Sequence, residues 1–168
     1  AVGVHALAAR PAPGKQQLVG LLEAAGIPVQ FVGVRSPVQL LSAVGRLRRQ
    51  LRAQGPDIVQ TFLFHANVVG ALSARRLAPA QVVAGVRVAD PSCWRRWVER
   101  GISRYVRRFV CVSQSVADFC VSQVGLPPEK LLVIPNGIDI ARYGRLERAD
   151  LSACGIRAGR RALVFAGR

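Results

Sequence analysis

The sequence has no methionine, two histidines and only two lysines, Lys15 and Lys130. It also has no apolar run near the roughly 18 residues that a membrane span needs, because charged residues interrupt each candidate. The four cysteines, Cys93, Cys111, Cys120 and Cys154, show no C-x-x-C spacing. With so few histidines a zinc site is not expected, and the cysteines read as free, partly buried thiols of a reducing compartment. Gly14-Lys15-Gln16 is not part of a G-x-x-x-x-G-K-[ST] phosphate loop, and no G-x-G-x-x-G, H-E-x-x-H, nucleophile elbow or Ser-His-Asp order appears. The apolar start, AVGVHALAARPAPG, has no basic n-region and no initiator methionine, so it reads as a strand cut from a longer protein rather than a signal peptide.

What is present is apolar and strongly basic. In 168 residues, 51% are hydrophobic and the net charge is +15, with 22 of the 24 basic residues arginine. The length and hydrophobic content suit one domain with a real core. Clustered arginine would suit nucleic acid, anionic lipid or a nucleotide diphosphate. These arginines are scattered over several segments, so coding bias toward Arg and Ala is the plainer cause.

Apolar periodicity gives the organisation. Short β-rich runs at 1–8, 27–33, 57–62, 81–86, 108–112 and 131–134 alternate with helical patterns, and RALVFAGR at 161–168 starts one more strand. In the first helix Leu18, Leu21, Leu22 and Ala25 share a face, and Gly26 suits the position after its end. Ser36-Pro37 reads as an N-cap with proline at the first helical position. Leu40, Leu41, Val44, Leu47 and Leu51 then form the buried face of the second helix. Ser113 or Ser115 caps the helix VADFCVSQVG. Strand–helix alternation with short connections predicts an α/β fold with a doubly wound, mostly parallel sheet. There is no internal repeat and no low-complexity tail.

In such sheets ligands sit beyond the carboxyl ends of the strands. That singles out residues 62–67, 87–90, Ser113 and Asn136-Gly137. The stretch LLVIPNGIDIARY raises a separate question, since Asn-Gly after a strand suggests a hairpin, yet no second alternating strand follows. Between these, Trp94, Trp97, Val98 and Tyr105 fall on one face of a helix whose remainder carries Arg95, Arg96, Arg100, Arg104 and Arg107. The expectation is an aromatic stripe packed on the core with a solvated basic back; the alternative is an interfacial helix on anionic lipid.

Three segments resemble one family. PDIVQTFLFHANVVGALSAR (56–75), VCVSQSVADFCVSQVGLPPEKLLVIPNGID (110–139) and LVFAGR (163–168) are similar, in this order, to the family 4 retaining glycosyltransferases of GT-B fold. They cover about a third of the chain, and the NGID stretch behind PPEK is the most specific. The resemblance implies the Rossmann-like N-terminal half of a GT-B fold over 1–142, an interdomain linker at 143–160, and the first strand of a truncated nucleotide-sugar domain at 161–168. It further implies that a first strand and glycine-rich loop precede Ala1, and that the fragment is inactive alone.

The implied activity is transfer of a hexose-type sugar from a nucleotide-diphosphate sugar to a sugar, lipid or glycan acceptor, with retention and without a metal or other cofactor. The implied setting is cell-envelope glycan, glycolipid or polysaccharide synthesis in the cytoplasm, with peripheral contact to an anionic inner membrane face. His65 is the catalytic candidate, as a neutral cleft histidine bonding sugar or phosphate oxygens, or else a helix-start histidine bonded to backbone. In many members the histidine stands at the strand end itself, where this chain has Gln60 and Phe62. Asn67, Arg87, Asp90, Ser113, Asn136 and Gly137 are acceptor or cleft candidates. Asn67 also reads as a cap, and Arg87 with Asp90 as a surface ion pair. Arg168 would face the donor diphosphate, where a guanidinium neutralises leaving-group charge. On the same reading NGID is the exit to the linker, with Gly137 supplying backbone freedom, Asn136 bracing the turn and Asp139 capping the next helix. The competing class is a non-catalytic basic module for nucleic acid or anionic membrane; nucleic acid is disfavoured because no RNA-binding aromatic motif or helix-turn-helix pattern is evident.

Overall fold

The computed structural model describes residues 2–144 together with 152, 155 and 160. The chain divides into two compact units, Ala1–Pro135 and Asn136–Arg168. In the first unit six strands and five helices alternate. The strands are β1 (Val4–Ala8), β2 (Val29–Val34), β3 (Ile58–Phe62), β4 (Gln81–Val86), β5 (Arg108–Cys111) and β6 (Leu131–Val133). Between them lie α1 (Gln16–Ala24), α2 (Leu40–Gln54), α3 (Phe64–Ala74), α4 (Cys93–Ile102) and α5 (Gln114–Phe119), the last continued by a π-helical turn at Cys120–Val124. The second unit has α6 (Ile140–Gly144) among its described residues. The expected strand at 161–168 and nearly all of the expected linker lie outside the described residues.

Every strand pair is parallel. β1 pairs with β2, and β3–β4–β5–β6 form a four-stranded sheet in chain order. Parallel neighbours need crossovers, and α3, α4 and α5 supply them within that sheet. The doubly wound α/β expectation holds, with the sheet in two parts. Among the described residues β1, β2, β3 and β6 each keep one unpaired edge.

Burial explains why these sequences form these elements. Val69, Val106, Phe109 and Cys111 are fully buried, with Ala84, Ala117 and Cys120 packed into the same core. Cys111 and Cys120 are free buried thiols as expected, whereas free Cys93 is exposed. α1 ends through Gly26 at φ 74° and α2 through Gly55 at φ 56°, left-handed positions that glycine takes without a Cβ penalty.

Three local expectations change. Leu18 and Leu21 of α1 are exposed, since among the described residues this helix packs chiefly on β2. On α2 the buried set is Ala43, Leu47 and Leu51, while Leu41 is 83% exposed: the buried stripe is rotated toward the small residues that α3 accepts. Ser36 offers its carbonyl to Gln39 N–H (3.0 Å) in a short 3-10 turn at Pro37–Gln39, so α2 proper begins at Leu40 instead of at Pro37.

α2 and α3 are joined by polar stitches across small side chains. Ser73 Oγ donates toward Val69 O (2.6 Å) and Val44 O (3.1 Å), and the Arg48 guanidinium reaches Leu72 O (2.6 Å) and Ser73 O (3.1 Å). α3 in turn lies directly on β3, since a Cβ placed on Gly70 would come within 2.4 Å of Thr61 Cγ2. Gly70→Val is therefore expected to destabilise the fold by roughly 2–3 kcal/mol through overpacking. Urea unfolding monitored by circular dichroism would measure it, against Gly45→Ala, where nothing lies within 4 Å and the better helix former should stabilise by up to about 1 kcal/mol.

Candidate active site

At the carboxyl end of β3 the chain turns into α3 through Leu63, whose φ of 73° and ψ of 156° make it the one non-glycine residue with positive φ among those described. Such a conformation costs on the order of 1–3 kcal/mol in a residue with a side chain. The bonds beneath the turn hold it. Asn67 N–H donates to Leu63 O (2.9 Å), Thr61 Oγ1 donates to Asn67 Oδ1 (2.8 Å), and Asn67 Nδ2 donates to Gly85 O (3.1 Å). Asn67 is 2% exposed, so it is neither a helix cap nor a sugar contact. All its polar groups are directed inward, where they tie β3, α3 and β4 together. That corrects its place among the cleft candidates.

His65 stands in the first turn of α3 with an exposed side chain. Its ring meets Phe64 edge to face at 5.3 Å, and Phe64 meets Trp94 in the same way at 5.2 Å. The Arg95 guanidinium lies 5.1 Å from the Phe64 centroid and 5.3 Å from that of Trp94, within cation–π range. Arg87, just past β4, is exposed and holds its guanidinium 5.4 Å from the Phe62 centroid. His65, Arg87, Arg95 and the rings of Phe62, Phe64 and Trp94 thus form an aromatic and cationic rim at the carboxyl ends of β3 and β4. Phe62 and Phe64 fall in the 62–67 stretch singled out from the sequence, without a role given to either ring, whereas Arg95 was expected on the solvated back of its helix.

Asp90 does not act with Arg87 alone, for its carboxylate is ion-paired with Arg95 and accepts Ser92 N–H at 2.9 Å. Hydrogen bonds from Ser92, by side chain and backbone, hold the Asp90 carboxyl below its ordinary range, and Arg95 adds to this. Glu99, one turn further along α4, is pushed the other way by burial, with the Asp90 charge reinforcing the rise. Two carboxyls near one arginine are thereby set apart, one firmly ionised and one more readily protonated.

Ser113 caps α5: its Oγ accepts Val116 N–H (3.3 Å) and lies 2.9 Å from Ser115 Oγ. Ser113 is thus the cap that the sequence offered for this helix, with Ser115 beside it. Ile134 N–H donates to Cys111 O (2.9 Å), and the chain then leaves the sheet without a hairpin. Asn136 and Gly137 belong to the second unit. Gly137 is not among the glycines with positive φ, and nothing lies within 4 Å of a Cβ placed on it. Neither conformation nor crowding demands glycine there, contrary to expectation. Asp139 immediately precedes α6, the position of a cap. Arg168 lies outside the described residues. Among the described residues no group of His, Cys, Asp or Glu could hold a metal ion, and no helix is long and apolar enough to cross a membrane.

A parallel α/β sheet with polar and aromatic side chains gathered at the carboxyl ends of its strands defines a ligand-binding domain of the doubly wound class. Comparison with known proteins narrows the class. The chain belongs to Glycosyltransferase Family 4, which it matches over residues 2–142. It is 26% identical over 128 residues to the Escherichia coli UDP-Gal:alpha-D-GlcNAc-diphosphoundecaprenol alpha-1,3-galactosyltransferase, an alignment covering 71% of this chain and 33% of that protein. Among solved structures it is similar in fold to Anabaena HepE in complex with UDP and glucose (TM-score 0.61, 20% identity, 84% of this chain and 46% of that one). A glycosyltransferase from Rickettsia africae is similar too, with TM-score 0.58 and 13% identity over 91% of this chain and 48% of that one. The chain therefore spans a third of the curated relative and about half of each solved neighbour.

Two stability measurements separate strain from support at this turn. Leu63→Gly should raise unfolding free energy by about 1 kcal/mol, since glycine adopts the observed φ and ψ freely. Asn67→Ala should lower it by about 2–3 kcal/mol, leaving the Thr61 hydroxyl and the Gly85 carbonyl unpaired in the interior.

Proposed function

We propose that this chain forms the acceptor-side part of an enzyme that moves a sugar from a nucleotide-diphosphate sugar to a lipid- or glycan-linked acceptor with retention of configuration. The observation that carries the reading is the family match across 2–142 on a chain whose carboxyl-edge rim joins His65 and Arg87 to exposed aromatic surface. Sugar rings stack on aromatic faces through their C–H groups, and their hydroxyls need donors and acceptors at the edge. Phe62 and Phe64 offer the first and His65 the second. Arg87 would compensate phosphate charge on a diphosphate-linked acceptor or donor. The Escherichia coli relative acts on a diphosphoundecaprenol-linked sugar, which supports a cell-envelope acceptor met at the cytoplasmic face of the membrane.

In this proposal 1–142 is the acceptor domain, 143–160 the linker and 161–168 the start of a nucleotide-sugar domain, with Arg168 facing the diphosphate. Residues 1–168 alone would not turn over substrate, since they match only a third of the curated relative and about half of each solved neighbour. No step of the reading calls for a metal.

The test uses the longer protein that carries this chain. Radiolabelled UDP-galactose and other nucleotide sugars are offered with an undecaprenyl-diphosphate-linked N-acetylglucosamine acceptor, and labelled lipid is counted. His65→Ala and Arg87→Ala should each lower kcat/KM by about tenfold or more, a loss of roughly 1.4 kcal/mol or more in transition-state stabilisation, with unchanged thermal midpoints. Full activity in both variants would remove this rim from the site. No transfer from any nucleotide sugar to any polyprenyl-linked or glycan acceptor would remove the reading itself.

A further inference from the structure

The two tryptophans of α4 are not in the core. Trp94 is 57% and Trp97 75% exposed, so these two members of the expected buried stripe are on the outside, while Val98 and Tyr105 are half-buried. The helix is oriented instead by Ile102, which is buried, and by Val98, Arg95 and Glu99, which are half-buried. Its outer side presents Cys93, Trp94, Trp97 and Arg100, all exposed, with half-buried Arg96 beside them and no carboxylate in the set. Arg96, Trp97 and Arg100, with Cys93, Gln123 and Val124, line a depression of about 190 Å³ between α4 and the turn after α5. Arg96 is braced there, with Nη1 donating to Gln123 Oε1 at 3.2 Å and Nη2 lying 3.1 Å from Cys93 Sγ.

Two large indoles left in water on one helix face, beside arginines one turn apart, need a partner that takes both. Indole rings settle at the level of lipid headgroups, where the ring is out of water and its N–H can still bond. Guanidinium groups pair with phosphate in two-point fashion. A nucleic acid would be met by arginines spaced along its backbone, not by two at the rim of one small depression flanked by tryptophan. An anionic bilayer matches both the charge and the apolar surface.

We propose that α4 docks the protein on an anionic membrane, laying Trp94 and Trp97 among the headgroups and seating a lipid phosphate between Arg96 and Arg100. The inference goes beyond sugar transfer and does not rest on it. Trp94 touches both surfaces, since its edge-to-face contact with Phe64 joins the membrane-facing helix to the rim at His65.

The chain's only two tryptophans are on this helix, so intrinsic fluorescence reports on this face alone. The chain is mixed with vesicles of phosphatidylcholine, with or without phosphatidylglycerol, and with inorganic phosphate at matched concentration; no donor or acceptor is present. Flotation with the anionic vesicles, a blue shift and quenching by brominated lipid are expected, with little response to neutral vesicles or to free phosphate. Arg96→Glu with Arg100→Glu, and separately Trp94→Ser with Trp97→Ser, should each weaken flotation by about tenfold. Arg96→Lys with Arg100→Lys should retain most of it, and circular dichroism should show all variants folded. Absence of flotation, an equal response to neutral vesicles, or a blue shift with inorganic phosphate alone would each overturn the proposal. So would undiminished flotation of the Glu or Ser variants, which would place the contact on another surface. Persistence of flotation in the Lys pair when the Glu pair is lost would keep charge, and not the fold of α4, as the cause.

Discussion

The side chain of Asn67 holds the point on which the first unit turns. A buried amide is costly unless its donors and acceptors are met, and those of Asn67 are shared between β3, through Thr61, and β4, through the Gly85 carbonyl. Its backbone N–H fixes the Leu63 carbonyl as well, so the same residue governs where β3 stops and at what angle α3 starts. The neighbouring glycines follow from this. α3 can come close enough for Asn67 to reach β4 because Gly70 has no Cβ to meet Thr61, and the strands accept the aromatic turn because Gly85 leaves room beside Phe62. The unfavourable backbone at Leu63 persists because the bonds around it over-determine it, and the result is a turn that directs Phe64 and His65 out of the sheet.

Charge is distributed on a different principle. Arginines occur on α2, α4 and α6 and in the segments between elements, and several do structural work through their guanidinium forks. Arg48 binds carbonyls at the end of α3, Arg95 holds Asp90 against α4, and Arg108 bonds the carbonyl of Glu129. An excess of arginine is thus compatible with a stable fold, since cations such as Arg48 and Arg108 bond backbone oxygen in place of an acid. Arg95 has a further consequence. By pairing with Asp90 and lying over Phe64 and Trp94, it draws the α4 start toward the carboxyl edge of the sheet and opposes the rise that burial imposes on Glu99.

Much of the architecture was legible because parallel strands and their crossovers leave a coarse trace: apolar runs such as QVVAGV and RFVCV, glycine after α1 and α2, and proline between elements. The faces were less legible. A strand buried in a parallel sheet is apolar on both sides, and nothing in IVQTF says that Thr61 meets a helix while Ile58 and Phe62 remain exposed. A helix with two tryptophans invites the assumption that tryptophan marks the inside, yet on α4 smaller Val98 and Ile102 do so. At the site, sequence proximity suggested Arg87 for Asp90, whereas a helical turn brings Arg95 to it. The Asn-Gly after β6 looked like conformational necessity, and the chain takes no left-handed turn at Gly137. His65 and Arg87 lie exposed at the carboxyl edge, where this sheet class presents side chains, whereas Asn67 is buried, since a bracket and an exposed contact share the same position in the pattern.

α4 shows how one amphipathic segment can serve two surfaces without a long sequence signature. Ten residues give fewer than three turns, so each residue type fixes a distinct direction. Val98 and Ile102 point to the core, Arg95 to Asp90 and the rim, and Trp97 with Arg96 and Arg100 away from both. Trp94 lies between the last two directions and contacts Phe64. A change that rotates the helix by a fraction of a turn would move Asp90, the rim rings and the outer arginines together. The inward pair Val98–Ile102 therefore constrains the chemistry of the sheet edge as much as any residue that faces it.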